Sequence, residues 1–194
     1  GGIYKMDTGT IILIVVLSIV LLLVIILGWF ISTLNAFRRM IVKIDESESG
    51  IDVQLTKRFD LLTKMVQATK GYVKHEQETL AKVVAMRNPG SNASLAEKQE
   101  FANQLTQGLQ SLNVVVERYP DLKASEQFTN LQRATVDVEE NLQAARRVYN
   151  ANVSHYNQKI VVFPASIIAN WKNFTKRDFF EAEATKREDV SFDF

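Results

Sequence analysis

The sequence contains no cysteine, and only three prolines and eight glycines among 194 residues. Without cysteine, disulfides, thiolate metal sites and a cysteine nucleophile are excluded, while the redox compartment stays open. Sandwiches and barrels need turn residues every few positions, so the scarcity of proline and glycine points to a helical body. An excess of charge of one sign is also lacking, since 23 Lys+Arg against 22 Asp+Glu leave a net charge of +1. There is no basic field of the kind that draws a protein to nucleic acid, and nucleic acid is not an expected partner. At about 150 residues per domain, the length allows one anchor and one compact domain.

Catalytic signatures are missing too. No glycine-rich phosphate loop, nucleophile elbow or dinucleotide fingerprint occurs. Lys74-His75-Glu76-Gln77-Glu78-Thr79 begins like a zincin helix, but Thr79 stands where the second histidine is needed. His155 lies on a different expected helix, and a surface or packing role is the better reading for both histidines. Asp52 with Asp60, and Glu139 with Glu140, read as solvated helix faces rather than catalytic carboxylate pairs. Asn92-Ala93-Ser94, Asn152-Val153-Ser154 and Asn173-Phe174-Thr175 match a glycosylation tripeptide that is common by chance. No catalytic residue, cofactor or metal is expected.

What is present is a long apolar run. No residue between Asp7 and Arg38 carries a charge, and Thr10 to Ile31 is almost wholly Ile, Leu and Val. That is long enough for a bilayer core of roughly 30 Å. It exceeds the roughly 7–15 apolar residues of a cleaved leader and lacks a small-residue cleavage site. The anchor is read from Ile11, Leu17, Leu21 and Ile25, with Trp29 at the interface and Arg38 and Arg39 just beyond it. Lys5 on one side, against Arg38, Arg39, Lys43, Lys57 and Arg58 on the other, places the C-terminal side in the cytoplasm.

The body reads as successive amphipathic helices. Ile44, Ile51, Leu55, Leu62, Val66, Thr69, Val73, Leu80 and Val83 recur at steps of three, four and seven, a coiled-coil-like seam. At about 1.5 Å per residue, a helix from Phe37 to Met86 would reach roughly 75 Å if unbroken. A kink is expected at 45–50, where Gly50 costs about 1 kcal/mol against alanine and Ser47 and Ser49 prefer caps. Asn88-Pro89-Gly90 ends that helix, and Ser94-Leu95-Ala96-Glu97 opens the next as a capping box. The second seam is Phe101, Leu105, Leu109, Leu112, Val115 and Val116, ending at Tyr119-Pro120. A third helix opens at Ala124 or Ser125, with a seam through Phe128, Leu131, Thr135, Val138, Leu142, Ala145, Tyr149, Asn152, Tyr156 and Ile160, and closes at Phe163-Pro164. A shorter fourth piece runs from Ala165 through Trp171 to Phe174. Short connections imply antiparallel neighbours. The expected fold is all-α: one transmembrane helix, then an elongated antiparallel up-and-down four-helix bundle of three long helices and one shorter C-terminal helix. The domains are 1–36 for the tail and anchor, 37–180 for the bundle and 181–194 for a charged tail.

Candidate interface residues come from polar or aromatic groups set against this pattern. Arg58 and Asp60 sit within one turn, where a modest surface ion pair is the first expectation and a pair to a neighbouring helix the alternative. Tyr149, Asn150, Tyr156 and Asn157 put phenols and amides along the third seam, either satisfied inside the fold or setting an interface. Trp171 and Phe174 belong to a stripe with Ile167, Ile168, Phe179 and Phe180. That stripe caps the core or else meets lipid or another subunit, with Lys172, Lys176 and Arg177 alongside.

Several of these segments resemble one family. Ile51-Asp52-Val53-Gln54-Leu55, Arg58-Phe59-Asp60-Leu61 and Gly71-Tyr72-Val73-Lys74-His75-Glu76 resemble the first long helix of the LemA family. So do Tyr119-Pro120-Asp121-Leu122-Lys123-Ala124 with Phe128 and Leu131, and Ala145-Arg146-Arg147, Tyr149-Asn150, Tyr156-Asn157 and Phe163-Pro164. The resemblance implies a bacterial cell-membrane (inner-membrane) protein with a short outer segment, one span and a cytoplasmic four-helix bundle, and it implies no catalytic residue. Relatives in the family are associated with magnetosome membranes. Thr63-Lys64-Met65 departs from the Pro-Asn-Leu frequent in the family, so no role of that proline carries over.

The expected function is a non-enzymatic membrane-anchored scaffold that assembles with itself and organises or shapes membrane. Its partners would be the lipid bilayer, further copies of the chain and other membrane proteins. The alternative is an adaptor or signalling module hinged at Ser47, Ser49 and Gly50.

Overall fold

The computed structural model describes residues 7–181. Among these the chain is helical, without strands: α1 (Thr8–Thr69), α2 (Gln77–Val84), α3 (Leu95–Val116), α4 (Pro120–Lys123), α5 (Glu126–Val161) and α6 (Ala165–Trp171). Apart from Glu181, the charged tail expected at 181–194 lies outside the described residues. The chain divides into two compact units, one of α1 up to Val42 with His155–Lys176, the other of Lys43–Ser154 with the segment from Arg177.

In the first unit, α1 opens with a stretch long and apolar enough to cross a membrane, and none of its most apolar 18-residue window is buried within the protein. Its small core is aromatic. The Phe37 ring lies 6.2 Å from Tyr156, edge-on, and 5.1 Å from Phe174. Ile160, Ala165, Ile168 and Ala169 are buried around it.

In the second unit, the seam of α1 is the core: Ile44, Ile51, Leu55, Leu62, Val66 and Thr69 are all buried. Phe101, Leu105, Leu112, Val115 and Val116 of α3 and Phe128, Val138, Leu142 and Tyr149 of α5 meet them. Burying such side chains supplies about 1.5–3 kcal/mol each, which no single helix secures alone. The α3 start is a complete capping box: Ser94 Oγ accepts from Glu97 N–H, and the Glu97 carboxylate accepts from Ser94 N–H at 2.7 Å. At the start of α5, Ser125 Oγ accepts from Phe128 N–H.

Two expectations are corrected. The first helix does not reach Met86, because α1 ends at Thr69, whose carbonyl accepts from both Tyr72 and Val73 N–H. Gly71 disfavours continuing, at a cost of about 1 kcal/mol. The deciding force is packing: Gly108 of α3 lies against both Leu62 and Val83. In one straight helix those two residues would stand roughly 30 Å apart. The chain therefore reverses at Lys70, and α2 returns to place Asn88 Nδ2 on Thr56 Oγ at 3.0 Å.

The second correction follows from the first. Glu48 and Asp52 meet Lys98, Phe59 meets Phe101, and Leu62 meets Gly108, so α3 runs parallel to α1. Met65 with Thr135, Arg58 with Glu139 and Ser47 with Asn152 make α5 antiparallel to α1.

α1 is helical throughout 45–50. The helix continues through Gly50, with Ser47 Oγ donating back to the Lys43 and Ile44 carbonyls and Ser49 Oγ to Asp45. Serines tolerate a helix interior when their hydroxyls close onto the preceding turn in this way.

Candidate functional site

The second unit holds charge inside its core. Arg58 is 4% exposed. Its Nη2 donates to Thr106 Oγ at 2.8 Å and pairs with Glu139 Oε2 at 3.0 Å, and its Nη1 donates to the Ala102 carbonyl at 3.3 Å. One arginine thereby ties α1 to both α3 and α5, using the several fixed donors of a guanidinium. Asp60, two residues on, is exposed. The first expectation of a modest surface pair for Arg58 is thus replaced by a buried interhelical one.

Ten residues nearer the start of α1, Lys98 of α3 is 3% exposed between two carboxylates, Glu48 Oε1 at 2.7 Å and Asp52 Oδ2 at 2.9 Å. Burial works against its ammonium, but the hydrogen bonds and charges of Glu48 and Asp52 prevail and hold its pKa above the ordinary lysine value. Burial pushes the Asp52 carboxyl up, with Glu48 adding repulsion, against the pull of Lys98. Beside it a cleft of about 370 Å³ is lined by Thr56, Lys57, Pro89 and Phe101.

A polar clasp holds the segment after Arg177. Asn150 Nδ2 donates to the Phe180 carbonyl at 2.9 Å while its Oδ1 accepts from Phe180 N–H at 2.8 Å. Tyr149 donates its hydroxyl to the Asp178 carbonyl at 3.0 Å, and its phenol is pushed up to about 12 by burial, with Glu48 reinforcing. Arg146, also buried, stacks its guanidinium 5.0 Å from the Phe180 ring, and Arg177 pairs with Asp45 at 2.7 Å. The amide of Asn150 thus imitates a strand partner, satisfying both backbone groups of one residue.

This arrangement is one of internal staples. His75 and His155 are both exposed, and neither stands in these clusters.

The LemA family profile matches residues 47–194, which takes in Arg58, Lys98 and the clasp. The chain belongs to the LemA family. It is similar to "Protein LemA" of Metamycoplasma hominis, 29% identical over 150 residues, which cover 76% of this chain and 68% of that protein. It is also similar to Magnetosome proteins MamQ 1 and MamQ 2 of Paramagnetospirillum magneticum, 28% identical over 92 residues. That similarity covers 47% of this chain and 32% of each magnetosome protein.

The sequence-derived residues fall in different places on this LemA family chain. Ile11, Leu17, Leu21 and Ile25 are exposed along α1, as are Arg38 and Arg39. Tyr149 and Asn150 work in the clasp, whereas Tyr156 packs on Phe37 and Asn157 is half-buried in the other unit. Phe174 is half-buried against Phe37, and Trp171 lies edge-on to Phe30 at 5.3 Å but remains exposed.

Sequence reasoning missed Lys98 and Arg146, and it read Glu139 as solvated. A signal was present. Lys98 sits three residues before Phe101 and seven before Leu105, and Arg146 lies between Leu142 and Tyr149, so both occupy apolar seams where a cation must be paired.

Proposed function

We propose that this LemA family chain is a non-enzymatic, membrane-anchored structural protein that assembles with itself and organises or shapes the membrane. The observation that carries the reading is α1: one helix holds both the apolar stretch around Ile11–Ile31 and the seam residues Ile44–Thr69 that form the core of the second unit. The buried cations Arg58 and Lys98 are paired with Glu139 and Asp52 on neighbouring helices, which supports a structural role for them.

The membrane is the bacterial cell (inner) membrane, in keeping with the family. The excess of Arg38, Arg39 and Lys43 over Lys5 supports a body on the cytoplasmic side. Similarity to two magnetosome proteins supports a role in membrane organisation rather than metabolism. The partners are the bilayer, further copies of the chain and other membrane proteins.

The test is the mass of the particle extracted from membranes in mild detergent and again in lipid nanodiscs. A discrete oligomer in both supports self-assembly. A monomer in both removes that part of the reading and leaves an anchored adaptor.

A further inference from the structure

We infer that the elbow joining α5 to α6, Val161–Trp171, is a second membrane contact that inserts its apolar side chains into the lipid interface beside the span. The inference rests on reading Thr10–Ile31 as a membrane-spanning segment. Depth comes from aromatic contacts inside the first unit. Tyr156 and Phe174 both meet Phe37, and the segment between them turns back at the level of Phe30, where Trp171 packs edge-on at 5.3 Å. Phe30 belongs to the last turn of the apolar run, next to Trp29, at the boundary between hydrocarbon and headgroups. The elbow is held at that same depth.

Its exposed face is apolar to a degree that water does not favour. Phe163 is 76% exposed and Trp171 62%, and Val161, Val162 and Ile167 stand out beside them. Ile168 and Ala169, on the opposite side, fill the core, so the outward set is not a failed core but a second face. A cluster of this kind marks an interaction surface, and its depth selects lipid as the occupant.

Charge argues for the same occupant. From Thr8 to Val42 and from His155 to Lys176 there is no carboxylate, while Arg38, Arg39, Lys159, Lys172 and Lys176 are all present. A cationic, acid-free belt around an apolar tip matches an anionic headgroup layer. Lys172 lies over the Trp171 ring with Nζ 3.9 Å from its centroid, leaving an amphipathic pair of the type that settles at an interface.

The chain has two tryptophans, which makes depth measurable residue by residue. Full-length W29F and W171F variants would be reconstituted into phosphatidylcholine–phosphatidylglycerol vesicles with brominated acyl chains. Quenching of Trp171 in W29F, alongside quenching of Trp29 in W171F, is the expected result. Adding V161S, F163S and I167S to W29F should restore Trp171 emission. Quenched Trp29 with unquenched Trp171 overturns the elbow contact while the span stands, and a blue-shifted but unquenched Trp171 would place another protein surface there. If neither tryptophan is quenched, the span reading falls and takes this inference with it.

Discussion

Arg58 on α1 and Glu139 on α5 meet at 3.0 Å, the arginine side chain 5% exposed and the glutamate 36%. The asymmetry in burial makes the two partners unequal. Arg58→Ala removes a buried side chain that joins three helices, leaving Thr106 Oγ still bonded to the Ala102 carbonyl and Glu139 open to water, and the loss should be about 2–5 kcal/mol, as for other buried truncations. Glu139→Gln keeps an acceptor for a guanidinium that retains its other two contacts, so about 1 kcal/mol is expected. Denaturant unfolding followed by circular dichroism compares the two, and equal losses would contradict this picture.

Lys98→Met would remove the cation from its triad and leave Glu48 and Asp52 facing each other. In the wild type the raised lysine pKa gives a contribution that is full below pH 10.5 and lost as pH rises through the native value. Asp52 acts oppositely for an acid: its raised pKa means the native state holds the proton more tightly, so its share of stability falls as pH rises above 3.8. Without Lys98 that penalty grows. The variant should lose more melting temperature at pH 7 than at pH 4, and an equal loss at both would show that the triad is electrostatically idle.

Tyr149 sets an alkaline limit. An unfolded phenol ionises near 10.0 whereas the buried one holds its proton up to about 12. Its contribution is therefore full below pH 10 and lost as pH rises through that window. Tyr119 is also raised, by its hydrogen bond to Glu76, so near-ultraviolet titration should show a late phase that shrinks but does not vanish in Tyr149→Phe, and an unchanged titration in that variant would reassign the Tyr149 share. Asn150→Ala should loosen the same clasp, exposing Arg177 to trypsin at a rate the wild type does not show.

Gly108 is where α2 seats. An added Cβ would stand 3.0 Å from methyl groups of Leu62 and Met86. Alanine gains about 1 kcal/mol of helix propensity over glycine, while crowding a packed site costs about 1–3 kcal/mol. Crowding should win, because Leu62 is fully buried and has no room to yield. Gly108→Ala is thus expected to lift α2 away, seen as faster amide exchange across Gln77–Val84 than in α3. Unchanged exchange there would mean that Met86 absorbs the methyl.

Much of the fold was legible in residue spacing. The steps of three, four and seven from Ile44 to Thr69 identify a buried face, and each of those seam residues is buried. The Ser94–Glu97 box and the stop before Pro164 were local chemistry and read as such. Less legible was the reversal at Lys70. A seam running on through Val73, Leu80 and Val83 looks the same whether its residues continue one helix or fold back over it, and a single Gly71 is a weak signal against that continuity.

The candidate site was legible in type and hidden in partnership. Arg58, Tyr149 and Asn150 were visible as polar groups on or near apolar seams, but neither Glu139 nor Phe180 was nameable as a partner. Lys98 and Arg146 sat in seams as well and passed unnoticed, since a long cation in a helix usually reaches water.

By itself the sequence determined the apolar run before Arg38, the helical body and the faces those helices bury. These follow from backbone geometry and side-chain hydrophobicity acting within one segment. Only the tertiary structure decided that α3 runs parallel to α1, that Arg58 and Lys98 are buried, and that the segment after Arg177 is clasped by Asn150. Periodicity defines a face without naming its neighbour, and the energy of a charge depends on distance and burial, which exist only after the chain has folded.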